Sequence, residues 1–175
     1  TSMDDPKHQE ASANENASAD EPGAATKFLD IVILSALEVD VNFNVNVLVG
    51  SDGIIRGAIG GHPDTAADSA LSIVVCPLLR GRIPCVVNEV TNLITPGSPV
   101  DDVVTEYGVA VNPRRPDLAE RMRAAGLKLV TMERLRARAR SAIGTPAPLP
   151  CGDKVGGVVM NRNGEVRDVI KNIKD

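Results

Sequence analysis

With 175 residues, 43% apolar and 24% charged side chains and a formal net charge of −4, the chain has the composition of one soluble globular domain with a single substantial core. Trp is absent, and one Tyr and two Phe leave little for stacking single-stranded nucleic acid, so the core must be aliphatic, as in the strand-rich layers of an α/β fold. No apolar run approaches the roughly 20 residues that cross a bilayer, and no leader-like segment opens the chain, so neither a membrane nor a secreted protein is expected.

Residues 1–27 carry almost no large apolar side chain and are rich in Ala, Ser, Asn and acid. Such a segment cannot bury enough surface to offset the entropy of ordering, and it reads as a disordered acidic linker or insertion ahead of one domain at 28–175. Ile31 to Leu34 reads as a strand. Next comes an acid- and Asn-rich strand, then a hairpin in which Val45, Val47 and Val49 alternate with Asn46 and Leu48, Ser51-Asp52-Gly53 turns, and Ile54-Ile55 resumes. The apolar run ends in Gly60-Gly61-His62-Pro63-Asp64. Without Cβ atoms, Gly57, Gly60 and Gly61 are free to take positive φ and to lie close against a ligand.

A helix is expected from Pro63 to Ala70, with strands at Leu71 to Cys76 and Ile83 to Val87. Further short strands are expected at Val100 to Thr105, Val109 to Val111 and Leu127 to Val130. Arg115-Pro116-Asp117 opens a helix carrying Leu118, Met122 and Ala125 at helical spacing and closed by Gly126. Thr131 is placed to cap the helix MERLRARARSAI, which Gly144 ends. After the breaker TPAPLP, Val155 to Met160 and Glu165 to Ile170 read as a hairpin turning at Asn163-Gly164. The alternation of strand and helix predicts an α/β layer.

The glycine offsets match neither the dinucleotide fingerprint nor the phosphate loop of nucleotide hydrolases. What remains is a glycine turn feeding a helix whose free N–H groups can receive an anion or a thioester oxygen, or simply a tight turn. His62 stands in this loop, available to titrate or to hydrogen-bond the turn; Asp64 and Thr65 are placed to cap the helix or to touch a ligand. Period-two alternation puts Glu38 and Asp40 on one strand face, as an acid/base pair, a solvated edge, or a polar network with Asn42, Asn44 and Asn46. Glu106 should emerge at the carboxyl end of a strand, where ligands gather in open α/β sheets. Cys76, Cys85 and Cys151 are odd in number and widely spaced, which predicts buried, reduced and inert thiols, no metal site and a cytoplasmic address. Between Arg114 and Arg140 nine basic residues face three acids. No aromatics interleave them, which speaks for a solvated basic face and against nucleic acid.

Five segments in order, ALEVDVNFNVNV (Ala36 to Val47), GSDGIIRG (Gly50 to Gly57), GGHPDTA (Gly60 to Ala66), RGRIPCVV (Arg80 to Val87) and the run from Ile94 to Val130, resemble the C-terminal part of the citrate lyase alpha chain family, within the CoA-transferase superfamily. The resemblance implies a layered α/β domain of the NagB/RpiA-like kind, with a mixed, largely parallel sheet, flanking helices and an upstream domain outside this segment. It implies a transferase step in which acetyl on a carrier thioester is exchanged for citrate through a mixed anhydride. Substrate and CoA contacts are then expected from Gly57, Gly60, Gly61, His62, Asp64, Thr65, Asn44 and Asn46; Glu38 and Glu106 stay catalytic candidates on their strand positions alone, because the resemblance places the glutamate used by covalent branches upstream of this segment. No tightly bound cofactor is implied; CoA or the phosphopantetheine-type arm of an acyl carrier protein is the thioester substrate. The implied partners are the beta (lyase) and gamma (acyl carrier) subunits, and Arg134 and Arg138, one helical turn apart, are placed to dock an acidic carrier. A non-catalytic domain with an oligomerisation role, or a transferase for another carboxylate, remains open.

Overall fold

The computed structural model describes Gly23, residues 25–161 and residues 163–174. The principal sheet has strands β1 (Ile31–Ser35), β4 (Leu71–Val75), β8 (Asp102–Thr105) and β9 (Gly108–Val111), in the order β1-β4-β8-β9. β1, β4 and β8 run parallel and β9 returns antiparallel, which makes the sheet mixed and largely parallel, as expected. A second sheet, β3-β2-β7, joins β2 (Glu38–Asp40), β3 (Val45–Asn46) and β7 (Val86–Val87). Two hairpins complete the strands: β5 (Leu79–Arg80) with β6 (Ile83–Pro84), and β10 (Cys151–Met160) with β11 (Val166–Ile173). The helices are α1 (His62–Asp68), α2 (Pro116–Ala124) and α3 (Met132–Ile143).

The main core lies between the two sheets and α3. Val74 and Val103 point into it from the principal sheet, Val39, Val45 and Val86 from the second, and Met132, Leu135 and Ala139 from α3. Those three recur at i, i+3 and i+7, one stripe of an α-helix. Thr131 caps α3 by accepting the Arg134 N–H at 3.2 Å, and Gly144 ends it at φ 80°. A smaller cluster of Leu48, Val49, Ile94 and Val159 seats the β10–β11 hairpin, whose Asp168 accepts from Leu93 N–H at 2.8 Å. Among the described residues the outer face of β1 is exposed: Ile31 and Ile33 alternate out of it, and Ile33 is 69% exposed.

Several local expectations change. The acid- and Asn-rich stretch is not one strand; it folds back at residues 41–44 so that β2 pairs antiparallel with β3, and Phe43 takes φ +67° at the bend. Asp40 drives that reversal, because its Oδ1 accepts from the N–H groups of Asn42 (2.8 Å) and Asn44 (3.0 Å). The alternating run from Val45 to Val49 stops as a strand at Asn46, whose Oδ1 captures the Leu48 and Val49 N–H groups at 2.9 and 3.3 Å. Beyond it only a bridge, Val49 to Ile55, closes the predicted turn.

Ile83 to Val87 divides after Pro84, its first part pairing with β5 and its second with β2. Leu127 to Val130 contributes a single bridge, Val109 to Leu129. The final hairpin is longer than predicted. At the amino end, Thr26 is buried and its hydroxyl donates to Asp68 at 3.1 Å, so the expected boundary after residue 27 falls inside the folded unit. The reading of residues 1–22 as a disordered linker lies outside the described residues.

Candidate substrate-binding site

The carboxyl ends of β1, β4 and β8 converge where an open α/β sheet offers a crevice. The glycine loop reaches this edge through α1. Gly60 takes φ +53° with open space where a Cβ would stand, so it presents bare main chain to solvent. Gly61 caps α1 at φ −90° and needs no left-handed backbone. Gly57 is required for another reason: a Cβ there would lie 2.3 Å from the Val47 carbonyl oxygen, a contact with the chain's own backbone. Of the three glycines, therefore, only Gly60 has the positive φ expected of all of them.

His62 fastens the loop to the sheet. Its Nε2 lies 3.0 Å from the Ser35 carbonyl at the end of β1, and its Nδ1 lies 2.7 Å from the Thr95 hydroxyl. A carbonyl can only accept, so Nε2 carries the proton and Nδ1 accepts from Thr95. Burial lowers the His62 pKa, which keeps the ring neutral. Both nitrogens are engaged, so His62 positions the head of α1 and is not available to titrate freely. Thr65 turns its hydroxyl back onto the Gly61 and His62 carbonyls at 2.9 and 3.2 Å, and Asp64 lies in the first turn of α1. At the same edge, Arg80 donates to the Ala36 carbonyl at 3.2 Å and the exposed Glu106, in the β8–β9 turn, accepts the Leu78 N–H at 2.9 Å. The buried Cys76 thiol is pushed up to about 12, mainly by desolvation. The structure buries Cys76 and Cys85 but leaves Cys151 exposed, against the expectation for that thiol.

Glu38 and Asp40 realise the polar-network alternative. Both are fully buried. Glu38 Oε2 accepts from Asn46 Nδ2 (2.9 Å) and Thr91 N–H (2.8 Å), while Oε1 accepts from the hydroxyls of Thr91 (3.1 Å) and Ser51. Four donors on one carboxylate hold three chain segments together and leave no lone pair aimed outward. Asn44 donates to Asp40 at 3.0 Å and accepts Gly97 N–H at 2.9 Å, and Asn46 is buried with its amide donating to Glu38 and to the Val49 carbonyl.

Beside β7 lies a cleft of about 560 Å³, whose lining includes Ser51, Thr91, Arg136 and Arg140. It contains none of the glycine-loop residues, and neither do clefts of about 540 and 190 Å³ elsewhere. Arg134 and Arg138 are exposed on α3, and Arg138 stacks 3.9 Å over the Tyr107 ring. The described residues hold no cluster of His, Cys, Asp and Glu suited to a metal ion. No helix among them is long and apolar enough to cross a membrane.

A family model for the citrate lyase alpha subunit (CitF) matches residues 1–173. The chain belongs to the CitF family. It is 56% identical over 170 residues to the citrate lyase alpha chain of Escherichia coli K12, and 51% identical to that of Klebsiella pneumoniae. Each alignment covers 97% of this chain but 33% and 34% of the relative, so the chain spans about a third of their length. A crystal structure from Streptococcus mutans, described as an alpha subunit of citrate lyase in complex with citrate, superposes with a TM-score of 0.93 at 49% identity, covering 97% of this chain and 33% of that one. The CitF fold therefore carries the layered α/β architecture.

The CitF chain also shows what sequence reasoning missed. One-turn spacing on α3 does not single out Arg134 and Arg138, because Arg136 and Arg140 share it and are the pair that lines the 560 Å³ cleft. A usable signal existed: Arg136 and Arg140 follow the buried Met132 by four and eight residues and so flank the apolar stripe. Ser51 and Thr91 carry no such signal, because only the fold brings them to Glu38.

Proposed function

We propose that this chain forms part of a citrate CoA-transferase, the component of citrate lyase that exchanges acetyl for citryl on a thioester. The observation that carries this reading is the 0.93 superposition on a citrate-complexed alpha subunit over 97% of the chain. In the reaction, a citrate carboxylate attacks the acetyl thioester carbonyl, the C–S bond breaks to give a mixed anhydride and a thiolate, and the thiolate then attacks the citryl carbonyl to release acetate. Each attack builds negative charge on a carbonyl oxygen. Main-chain N–H groups at Gly60 and Gly61 are suited to receive it, and such donors typically contribute about 3 to 4 kcal/mol each. The neutral His62, held by Ser35 and Thr95, keeps that main chain in place.

The thioester is borne by CoA or by the phosphopantetheine-type arm of the acyl carrier (gamma) subunit, with the beta subunit cleaving the citryl product, in the cytoplasm. Arg134 and Arg138 are exposed cations suited to an acidic carrier surface. The test is exchange between acetyl-CoA and isotopically labelled citrate, followed by mass spectrometry with the full polypeptide. Formation of citryl-CoA with release of acetate is expected, and Gly60→Val should abolish it. Exchange with a different carboxylate but not citrate would reassign the substrate. No exchange with any acid would leave a non-catalytic domain.

A further inference from the structure

Ala36, the β5–β6 hairpin and Glu106 follow the carboxyl ends of β1, β4 and β8, and hydrogen bonds tie the three segments together. The root of the hairpin is fixed from two sides. Leu78 is buried, its N–H donates to Glu106 Oε2 at 2.9 Å, and its carbonyl accepts the Cys85 N–H at 3.0 Å. Two residues on, Arg80 pairs with Ile83 across a turn in which Gly81 takes φ +63°, with open space where a Cβ would stand. The backbone that carries the Arg80 cation is therefore braced.

Its side chain is tethered as well. Arg80 Nη2 donates to the Ala36 carbonyl at 3.2 Å, while His62 Nε2 donates to the Ser35 carbonyl at 3.0 Å. These carbonyls belong to consecutive residues, whose Cα atoms lie about 3.8 Å apart. The head of α1 and the Arg80 guanidinium are thus held on neighbouring peptide groups at the end of β1. Arg80 is exposed, and the bond to Ala36 uses one of the five N–H donors of a guanidinium. Among the described residues it forms no ion pair, whereas Arg56 and Arg115 are each closed by aspartates. Glu106, the acid at the same edge, has one carboxylate oxygen committed to the Leu78 N–H. An oriented guanidinium with donors to spare matches a carboxylate, which it meets in a forked geometry.

We propose that Arg80 is a specificity-determining residue for the acceptor acid, its guanidinium holding an unreacting carboxylate of a polycarboxylate while the reacting carboxylate faces the glycine loop. This rests on the transferase reading for the reaction, and it adds the group that tells a polycarboxylate from a monocarboxylate. Citrate has two further carboxylates besides the one that reacts, and acetate has none. Loss of the guanidinium therefore falls on citrate more heavily than on acetate.

The experiment measures calorimetric binding of citrate without a thioester, and kcat/KM for exchange of acetyl-CoA with citrate and with labelled acetate, all on the full polypeptide. Arg80→Met should raise the citrate dissociation constant by about tenfold or more, and lower the citrate-to-acetate ratio of kcat/KM by a similar factor. Arg80→Lys should give intermediate values, since an ammonium keeps the charge without the fork. Arg82, exposed in the same turn and without the Ala36 tether, is the control. Arg82→Met should change citrate binding by less than about twofold, as expected of a screened surface charge.

A residue that only staples the Ala36 carbonyl gives a different pattern: Arg80→Met would then lower the thermal midpoint and weaken citrate and acetate exchange alike, which overturns the proposal. Equal losses in the Arg80 and Arg82 variants would mean general attraction of anions and overturn it too. So would citrate binding that is absent from the parent, or unaffected by Arg80→Met. The two proposals fail separately. Arg80-dependent citrate binding without exchange removes the reaction and keeps the cation site. Exchange with a KM for citrate that ignores Arg80 does the reverse.

Discussion

Asp102, at the start of β8, is fully buried, and neither carboxylate oxygen has a hydrogen-bond partner among the described residues. Desolvation and the neighbouring Asp101 charge push its pKa up to about 6 from 3.8, with Arg115 opposing. Arg115 is held by Asp101 at 2.5 Å and by Asp117 at 3.0 Å, so it does not neutralise Asp102 directly. At 1.36 kcal/mol per tenfold change in proton affinity, the gap corresponds to roughly 3 kcal/mol. The sign follows from proton counting. Below pH 3.8 both folded and unfolded chains hold the proton and Asp102 costs nothing; between 3.8 and about 6 only the folded chain holds it, so stability falls as pH rises; above 6 the full cost remains.

Asp102→Asn should therefore match the parent below pH 4 and exceed it by up to about 3 kcal/mol at pH 7.5, the excess growing through the window from 3.8 to 6. Urea denaturation at half-unit steps from pH 3.5 to 8 measures this. His62 titrates in both proteins and cancels in the difference. A difference that stays flat across the window would refute the argument that Asp102 is buried without a partner.

Glu38→Gln should cost about 1 kcal/mol, since the Ser51 and Thr91 hydroxyls can rotate to accept from a side-chain amide. Glu38→Met, which strands Thr91 N–H and Asn46 Nδ2, should cost about 2 to 3 kcal/mol more in urea melts; equal losses would show that these donors do not depend on the carboxylate. Gly57→Ala should destabilise by about 1 to 3 kcal/mol through the Val47 carbonyl, and an unchanged thermal midpoint would mean that the loop yields freely. Heteronuclear NMR of His62 should show the Nε2–H tautomer and a midpoint below the ordinary 6.5. Its stabilising contribution is present above pH 6.5 and lost as pH falls through the folded pKa, and a midpoint at or above 6.5 would contradict the burial argument.

The helices were legible almost to the residue because their signals are local. Pro116 starts α2, Thr131 caps α3, Gly126 and Gly144 close them at positive φ, and the apolar spacing is helical. The parallel strands β4 and β8 were legible as short apolar runs. Strand reading failed where a side chain competes with the ladder for backbone donors. Asp40 and Asn46 each capture two N–H groups and thereby bend the chain, and a period-two pattern contains no trace of that competition. The glycine loop was found in sequence, but the reason for each glycine was not. Gly57 answers to a carbonyl ten residues earlier and Gly60 to its own φ, two causes with one spelling.

The polar residues divide along the same line. Glu38, read as one of several possible acids, is the knot that joins the 46–51 bend and the 91 loop to β2. Because Ser51 and Thr91 present their other sides to the cleft, the knot also sets the position of that part of the lining. Its burial keeps the carboxylate from pairing with the neighbouring Arg136 and Arg140. Sequestering the acid under two hydroxyls leaves Arg136, Arg140 and Glu89 as the charged side chains of that lining.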